Sequence, residues 1–210
     1  MPTSLPRVYL AGDLVFRPDA IAIFDRLRTI CRAAGLEGMT PFDGQAAVRD
    51  LPPGPDTTLA IVEADRDLMD RCAAGLFCLD PFRRGPDMDP GTAVEIGYMA
   101  AQNKPLAGYT IDGRPYPAKV AAFLHAHWGE ALRPRATLSA GGSSGALEDP
   151  DGILAHSDGF VQNGMTEGFI RLSGGRVHVA PDLFAAFEQA ATEIAGRLAG
   201  KASTMLQYGA

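Results

Sequence analysis

The sequence predicts an α/β fold: a parallel sheet covered by helices on both faces. Three observations support this. Short apolar runs alternate with segments of helical spacing along most of the chain. The runs are apolar throughout rather than alternating, as strands buried on both faces are. The rhythm also delivers five strands in 210 residues, a length that suits one domain with a full core. Five strands in this order fit a flavodoxin-like doubly wound five-stranded parallel sheet with helices on both faces.

The elements follow in order. Arg7 to Gly12, RVYLAG, is the first strand, ended by glycine. Pro18 opens a helix to about Ala34, whose apolar positions Ala20, Ile23, Phe24, Leu27, Ile30, Cys31 and Ala34 repeat at helical spacing; Gly35 stops it. Leu36 to Phe42 is a second strand. Asp43 to Asp56, rich in Gly, Pro and Asp, is a long exposed loop. Thr57 to Cys72 resumes helical spacing, and Ala74 to Leu79 is the clearest buried strand. After LDPFRRGPDMD, a helix starts at Asp89, a good N-cap, with Pro90 in the first helical position. Lys104 to Thr110 is the fourth strand, and Pro117 to Trp128 a helix. The SAGGSSGA stretch makes the segment near 133–146 flexible. Phe160 to Leu172 has no decisive period. Arg176 to Ala180 is the fifth strand, Pro181 to Leu198 the last helix, and the residues after 201 a loose tail. The whole, 1–210, is expected to be one domain without internal repeats.

Composition narrows the class of function. Apolar residues make up 46% and charged residues 21%, a globular balance. The net charge of -6 and the lack of a basic cluster argue against a nucleic-acid polymer as partner. Cys31, Cys72 and Cys78 are an odd count in apolar surroundings, which suggests buried thiols in a cytoplasmic protein. No apolar h-region opens the chain and no apolar run reaches about 20 residues, so neither a signal peptide nor a membrane span is expected. His125, His127, His156 and His178 are scattered; His125 and His127, two apart on a helix, are read as surface residues, and no clustered ligands suggest a metal.

Doubly wound folds bind ligands at the carboxyl ends of their strands, and acids gather there. Asp13 follows strand one, Asp43 strand two, and Asp80, Asp87 and Asp89 strand three. Asp65 and Asp67 lie on the preceding helix, where pattern alone suggests a solvated face. Glu95 stands apart. Its neighbours Ala93, Val94, Ile96, Gly97, Met99, Ala100 and Ala101 leave the helix little polar face, so its carboxylate must be paired, desolvated or turned to a cavity. It lies about 9 Å along the helix from Asp89 at ~1.5 Å per residue. Two acids within reach of one ligand suit glycosyl chemistry, in which one attacks the anomeric carbon and the other assists the leaving group.

These residues resemble the nucleoside 2-deoxyribosyltransferase family. The likeness runs through VYLAGDLVFRPD, through EADRDLMDRCAAGLFCLDPFRRGPDMDPGTAVEIGYMAAQNKP with its G-T-x-x-E-x-G core, and through SDGFVQNGMTEGF followed by RVHVAPDLFAAFEQA. It implies Glu95 as nucleophile, Asp89 as the acid that contacts the base, and Asp65 as a further catalytic acid, with Asp67 as its rival. It also implies Tyr9, Gly12 and Phe16 at the nucleoside, and Asn163 and Met165 reaching the sugar of a neighbouring subunit's site. Asp13 stands where many relatives have proline, so the loop beside the base differs. SAGGSSGA and the tail have no counterpart.

The implied reaction moves a 2-deoxyribosyl group between nucleobases through a deoxyribosyl-Glu95 intermediate, with ping-pong kinetics and retention at C1′. The implied partners are 2′-deoxynucleosides, free nucleobases and further copies of the chain, and no cofactor is called for. Two alternatives stay open. One is hydrolysis of nucleosides or nucleoside 5′-monophosphates, the latter needing a phosphate cradle for which Arg135, Ser139, Ser143 and Ser144 are the candidates. The other is a non-catalytic ligand-sensing domain.

Overall fold

The structure is a computed structural model that describes residues 4–45, 48, 50–135, 145–157 and 159–208, with side chains described as far as residue 200. Its main sheet has five strands: β1 (Arg7–Ala11), β2 (Glu37–Met39), β3 (Ala74–Cys78), β4 (Leu106–Thr110) and, last in the chain, β8 (Val177–Val179). All pairings are parallel and the order is β2-β1-β3-β4-β8. The doubly wound fold is as the sequence predicts.

Helices cover both faces. They are α1 (Ala20–Ala33), the short α2 (Pro41–Gly44), α3 (Pro55–Asp70), α4 (Pro90–Ala101), α5 (Tyr116–Trp128), α6 (Gly164–Leu172) and α7 (Leu183–Tyr208). Because side chains alternate along a strand, the central strands feed two cores. Val8, Leu10, Leu76, Cys78 and Tyr109 pack with Phe24 and Leu27 of α1 and Phe187 and Ile194 of α7. Tyr9, Ala11, Phe77 and Leu79 pack with Leu68 of α3, Ile96 and Met99 of α4 and Ile170 of α6. The three cysteines are free and buried. Among the described residues no helix is long and apolar enough to cross a membrane.

Several boundaries differ from expectation for local reasons. The second strand is only Glu37–Met39, because a capping box at Thr40 and Asp43 turns the chain into α2 with Pro41 at its start. That takes the first residues of the expected loop. Pro55 starts α3 two residues before the expected Thr57. The ambiguous stretch resolves into α6, capped by Asn163. A small antiparallel sheet, β5 (Arg133–Pro134), β6 (Leu147–Glu148) and β7 (Leu154–Ala155), was not expected; its two-residue strands leave no readable period. Residues 136–144, most of the segment expected to be flexible and the seat of Ser139, Ser143 and Ser144, lie outside the described residues. The last helix runs on through the expected tail to Tyr208. His178 is largely enclosed: its Nε2 lies 2.8 Å from Glu193, with 14% of its side chain exposed.

In this strand order the chain departs toward β2 on one side of β1 and toward β4 on the other side of β3. The crevice at the carboxyl ends of β1 and β3 is therefore the switch point. Gly12 closes it tightly. A Cβ at Gly12 would stand 2.5 Å from Cys78 Cβ, and its φ of +153° disfavours a side chain. Gly12→Ala must wedge β1 from β3 at this edge. We expect a loss of about 2–4 kcal/mol, read as a lower unfolding midpoint in a thermal or urea melt.

Candidate active site

Glu95 sits on the second turn of α4. Asp89 caps this helix, accepting from Thr92 N at 2.8 Å and Thr92 Oγ1 at 2.9 Å. At the other end Asn103, in the left-handed conformation at φ 57°, closes the helix, with Lys104 N donating to Met99 O. The helix is less enclosed than its composition suggests: Val94 is 72% exposed.

The Glu95 carboxylate is half-buried. Its Oε1 accepts a 2.6 Å hydrogen bond from the hydroxyl of Tyr9 on β1, a short charge-assisted geometry. Burial pushes its pKa up from 4.5 to about 8; the Tyr9 hydrogen bond pulls it down, and the charges of Asp65 and Asp89 push it up further. Tyr9 itself is fully buried, with its hydroxyl turned to Glu95. Burial and the neighbouring Glu95 charge raise the Tyr9 pKa, keeping the phenol a donor.

Asp65 comes from α3. Burial raises its pKa to about 6, opposed by a hydrogen bond from Gln45, and its buried Oδ1 has no partner among the described residues. Asp67, its rival from sequence, is 56% exposed and paired with Arg66 at 3.3 Å. The structure thus brings Asp65, not Asp67, toward Glu95. Three hydrogen bonds fix the end of α3 against α4 and the residues just after it: Asp70 accepts from Tyr98 and Gln102, and Lys104 Nζ donates to Met69 O.

Phe16, in the 3-10 turn Asp13–Phe16, is 61% exposed and stacks on Phe82 at 5.5 Å between ring centres. Phe82 lies in the loop between β3 and α4, a partner that sequence spacing gave no means of finding. Asp13, which stands where many relatives have proline, is half-buried and bonded to Arg17 at 3.1 Å. Asp80 ties the base of the β3–α4 loop to β4 by accepting from Thr110 Oγ1 at 2.6 Å and Ile111 N at 2.8 Å. Gln162, fully buried, ties the loop before α6 to the same region by donating to Leu79 O and Pro86 O. Asn163 caps α6 by accepting from Met165 N at 2.9 Å; Asn163 and Met165 are both exposed. Among the described residues no His, Cys, Asp and Glu group has the geometry of a metal site.

The nucleoside 2-deoxyribosyltransferase family model matches residues 8–165, from β1 through Asn163 and Met165. The chain belongs to that family. The match spans every candidate residue from Tyr9 to Met165. The chain is also 60% identical over 197 residues to an uncharacterized protein of Schizosaccharomyces pombe, covering 94% of this chain and 92% of that one. Two solved structures share the deoxyribosyltransferase family's fold. A 2-deoxyribosyltransferase from Leishmania mexicana superposes with a TM-score of 0.56 at 24% identity, covering 89% of this chain and 97% of that one. A conserved protein from Enterococcus faecalis V583 superposes with a TM-score of 0.52 at 20% identity, covering 88% and 98%.

Proposed function

We propose that this chain transfers the 2-deoxyribosyl group between nucleobases, with Glu95 as nucleophile. The observation that carries the proposal is the Tyr9–Glu95 hydrogen bond of 2.6 Å at the switch point, beside two further carboxyls. In the first half-reaction a Glu95 oxygen bonds to C1′ as the bond from C1′ to the base nitrogen breaks. The electron pair of that bond leaves with the base, and Asp89 supplies the proton the base needs. Asp65, whose pKa is raised only to about 6, is the charged neighbour that tunes Glu95 in the range where Glu95 ionises. In the second half-reaction an incoming base attacks C1′ from the face the first base left, returns its proton to the acid and releases Glu95. Two inversions restore the starting configuration, and kinetics are ping-pong. In this reading the base would lie toward Gly12 and the Phe16–Phe82 pair.

The site supports completion by a second copy of the chain. Asn163 uses its Oδ1 within its own helix cap, which leaves its amide NH2 as a donor for a sugar hydroxyl across an interface. Met165, 65% exposed, and Val94, 72% exposed, would be covered by such a contact. Coexpression of the Glu95→Ala and Asn163→Ala variants is the check. Each is expected to be inactive alone, and the mixture to recover about a quarter of the activity, since half the pairs are mixed and each mixed pair has one intact site. No recovery would mean that Asn163 serves its own chain or none.

The function itself is tested by product analysis. With deoxyinosine and free adenine the chain is expected to form deoxyadenosine, with base release slow when no acceptor is present. Free deoxyribose at the same rate with and without adenine would make the enzyme a hydrolase, and neither product would leave only a ligand-binding role.

A further inference from the structure

One cavity that Glu95 does not line stands beside α5. It is a groove of about 640 Å³ between α5 and β7 with the turn that precedes it, and Pro86 and Asp87 of the β3–α4 loop also line it. The volume is in the range of small-molecule sites, about 300–1,000 Å³. One wall is apolar. Trp128 is 61% exposed and meets Phe123 edge to face, with ring centres 5.2 Å apart, and Ile153 is 66% exposed. Gly129, left-handed at φ 68°, ends α5 directly after Trp128 and fixes where the indole stands.

The rest of the lining is acidic. Asp87, Glu130, Asp149 and Asp151 all line the groove, and among the described residues no lysine or arginine does. Asp149 is partly engaged, accepting from Ile153 N at 2.8 Å, and Asp87 accepts from Tyr116 at 2.8 Å. Glu130 and Asp151 are exposed. Aromatic faces and carboxylates together select cations with an apolar body. The acids do not converge: among the described residues no group of three could hold one metal ion. A ligand that satisfies them must carry separated positive charges on a chain that lies along the Trp128 wall.

We propose that this groove binds an aliphatic polyamine. Because Asp87 lies two residues before Asp89 in the same loop, an occupant here touches the segment that leads into α4. The proposal does not depend on the transfer reaction, and its test needs no turnover.

Trp128 is the only tryptophan in the sequence, so indole fluorescence reports on this groove alone. Spermidine is expected to give a saturable change in Trp128 emission, with 1,8-octanediol, a neutral chain of similar length, giving none. Raising salt from about 50 to 500 mM should weaken the interaction about tenfold or more. The double variant Glu130→Gln/Asp151→Asn should weaken it about tenfold as well, while Glu188→Gln, on the exposed side of α7, should leave it unchanged. Calorimetric titration of the same variants gives a readout independent of the indole, and circular dichroism shows whether each variant is folded. The proposal fails if spermidine gives no saturable signal up to about 10 mM, or if octanediol matches it. It fails equally if Glu188→Gln weakens binding as much as the groove variant does, since the cation would then be held only by the overall negative charge.

Discussion

Glu95→Ala is expected to lower deoxyribosyl transfer by about three or more orders of magnitude without unfolding the chain, because it removes the only group proposed to bond to C1′. The helix that carries Glu95 does not depend on it: its start is held by Asp89 and Thr92, and its packing by Ile96 and Met99. Glu95→Gln sharpens the test, since an amide can still accept from Tyr9 but cannot attack. It carries a stability signature of its own. In the folded chain the Glu95 pKa is raised from 4.5 to about 8. A raised carboxyl favours folding fully below its unfolded pKa, and that contribution is lost as pH climbs through about 8. Wild type should therefore lose stability relative to Glu95→Gln between about pH 5 and pH 8. With Glu95 half-buried, solvent tempers the effect to on the order of 2 kcal/mol. Thermal melts of both proteins across that window measure it. Near-normal base exchange by either variant would remove Glu95 from the chemistry.

The pH profile of kcat/KM is expected to rise toward about pH 8, because the free enzyme must ionise Glu95 before attack. At pH 7 a carboxyl with that pKa is about one-tenth ionised. Asp65 titrates close by, near 6, so the rising limb belongs to the pair rather than to one residue. Two substitutions should move the limb in opposite directions. Asp65→Asn removes a negative charge that holds the Glu95 pKa up, so the limb moves to lower pH. Tyr9→Phe removes the donor that holds it down, so the limb moves to higher pH, and kcat/KM at pH 7 falls about tenfold with the loss of a hydrogen bond to a charged group. Whatever else Asp65→Asn does to the maximal rate, the position of its limb is a separate readout. Both limbs moving the same way would contradict the proposed electrostatics.

Much of the fold was legible because its strands are buried on both faces and its helices carry strong punctuation. Asp89, Pro90 and the small residues that follow announce α4, and the structure starts the helix there. Glu95 stood out because a carboxylate among Ala, Val, Ile and Met needs a reason. Its partner did not stand out, since the Tyr9–Glu95 bond joins residues 86 apart in sequence and exists only once β1 and α4 are packed. The choice between Asp65 and Asp67 was likewise hidden: both sit on a helix whose exposed face still carries Leu59 and Val62, so apolar spacing does not say which acid turns inward. The small antiparallel sheet was illegible for a simpler reason, because two-residue strands show no period and are held by pairing such as Arg133 with Glu148. The apolar-acidic groove beside Trp128 is a product of that same sheet.

The most direct test is mass spectrometry of the chain after brief exposure to a 2′-deoxynucleoside without an acceptor base. A mass gain of one deoxyribosyl group on the peptide containing Glu95, removed on addition of free adenine, is the predicted result. Base exchange that proceeds with the group attached to another residue, or with no attachment trapped under conditions of turnover, would contradict it.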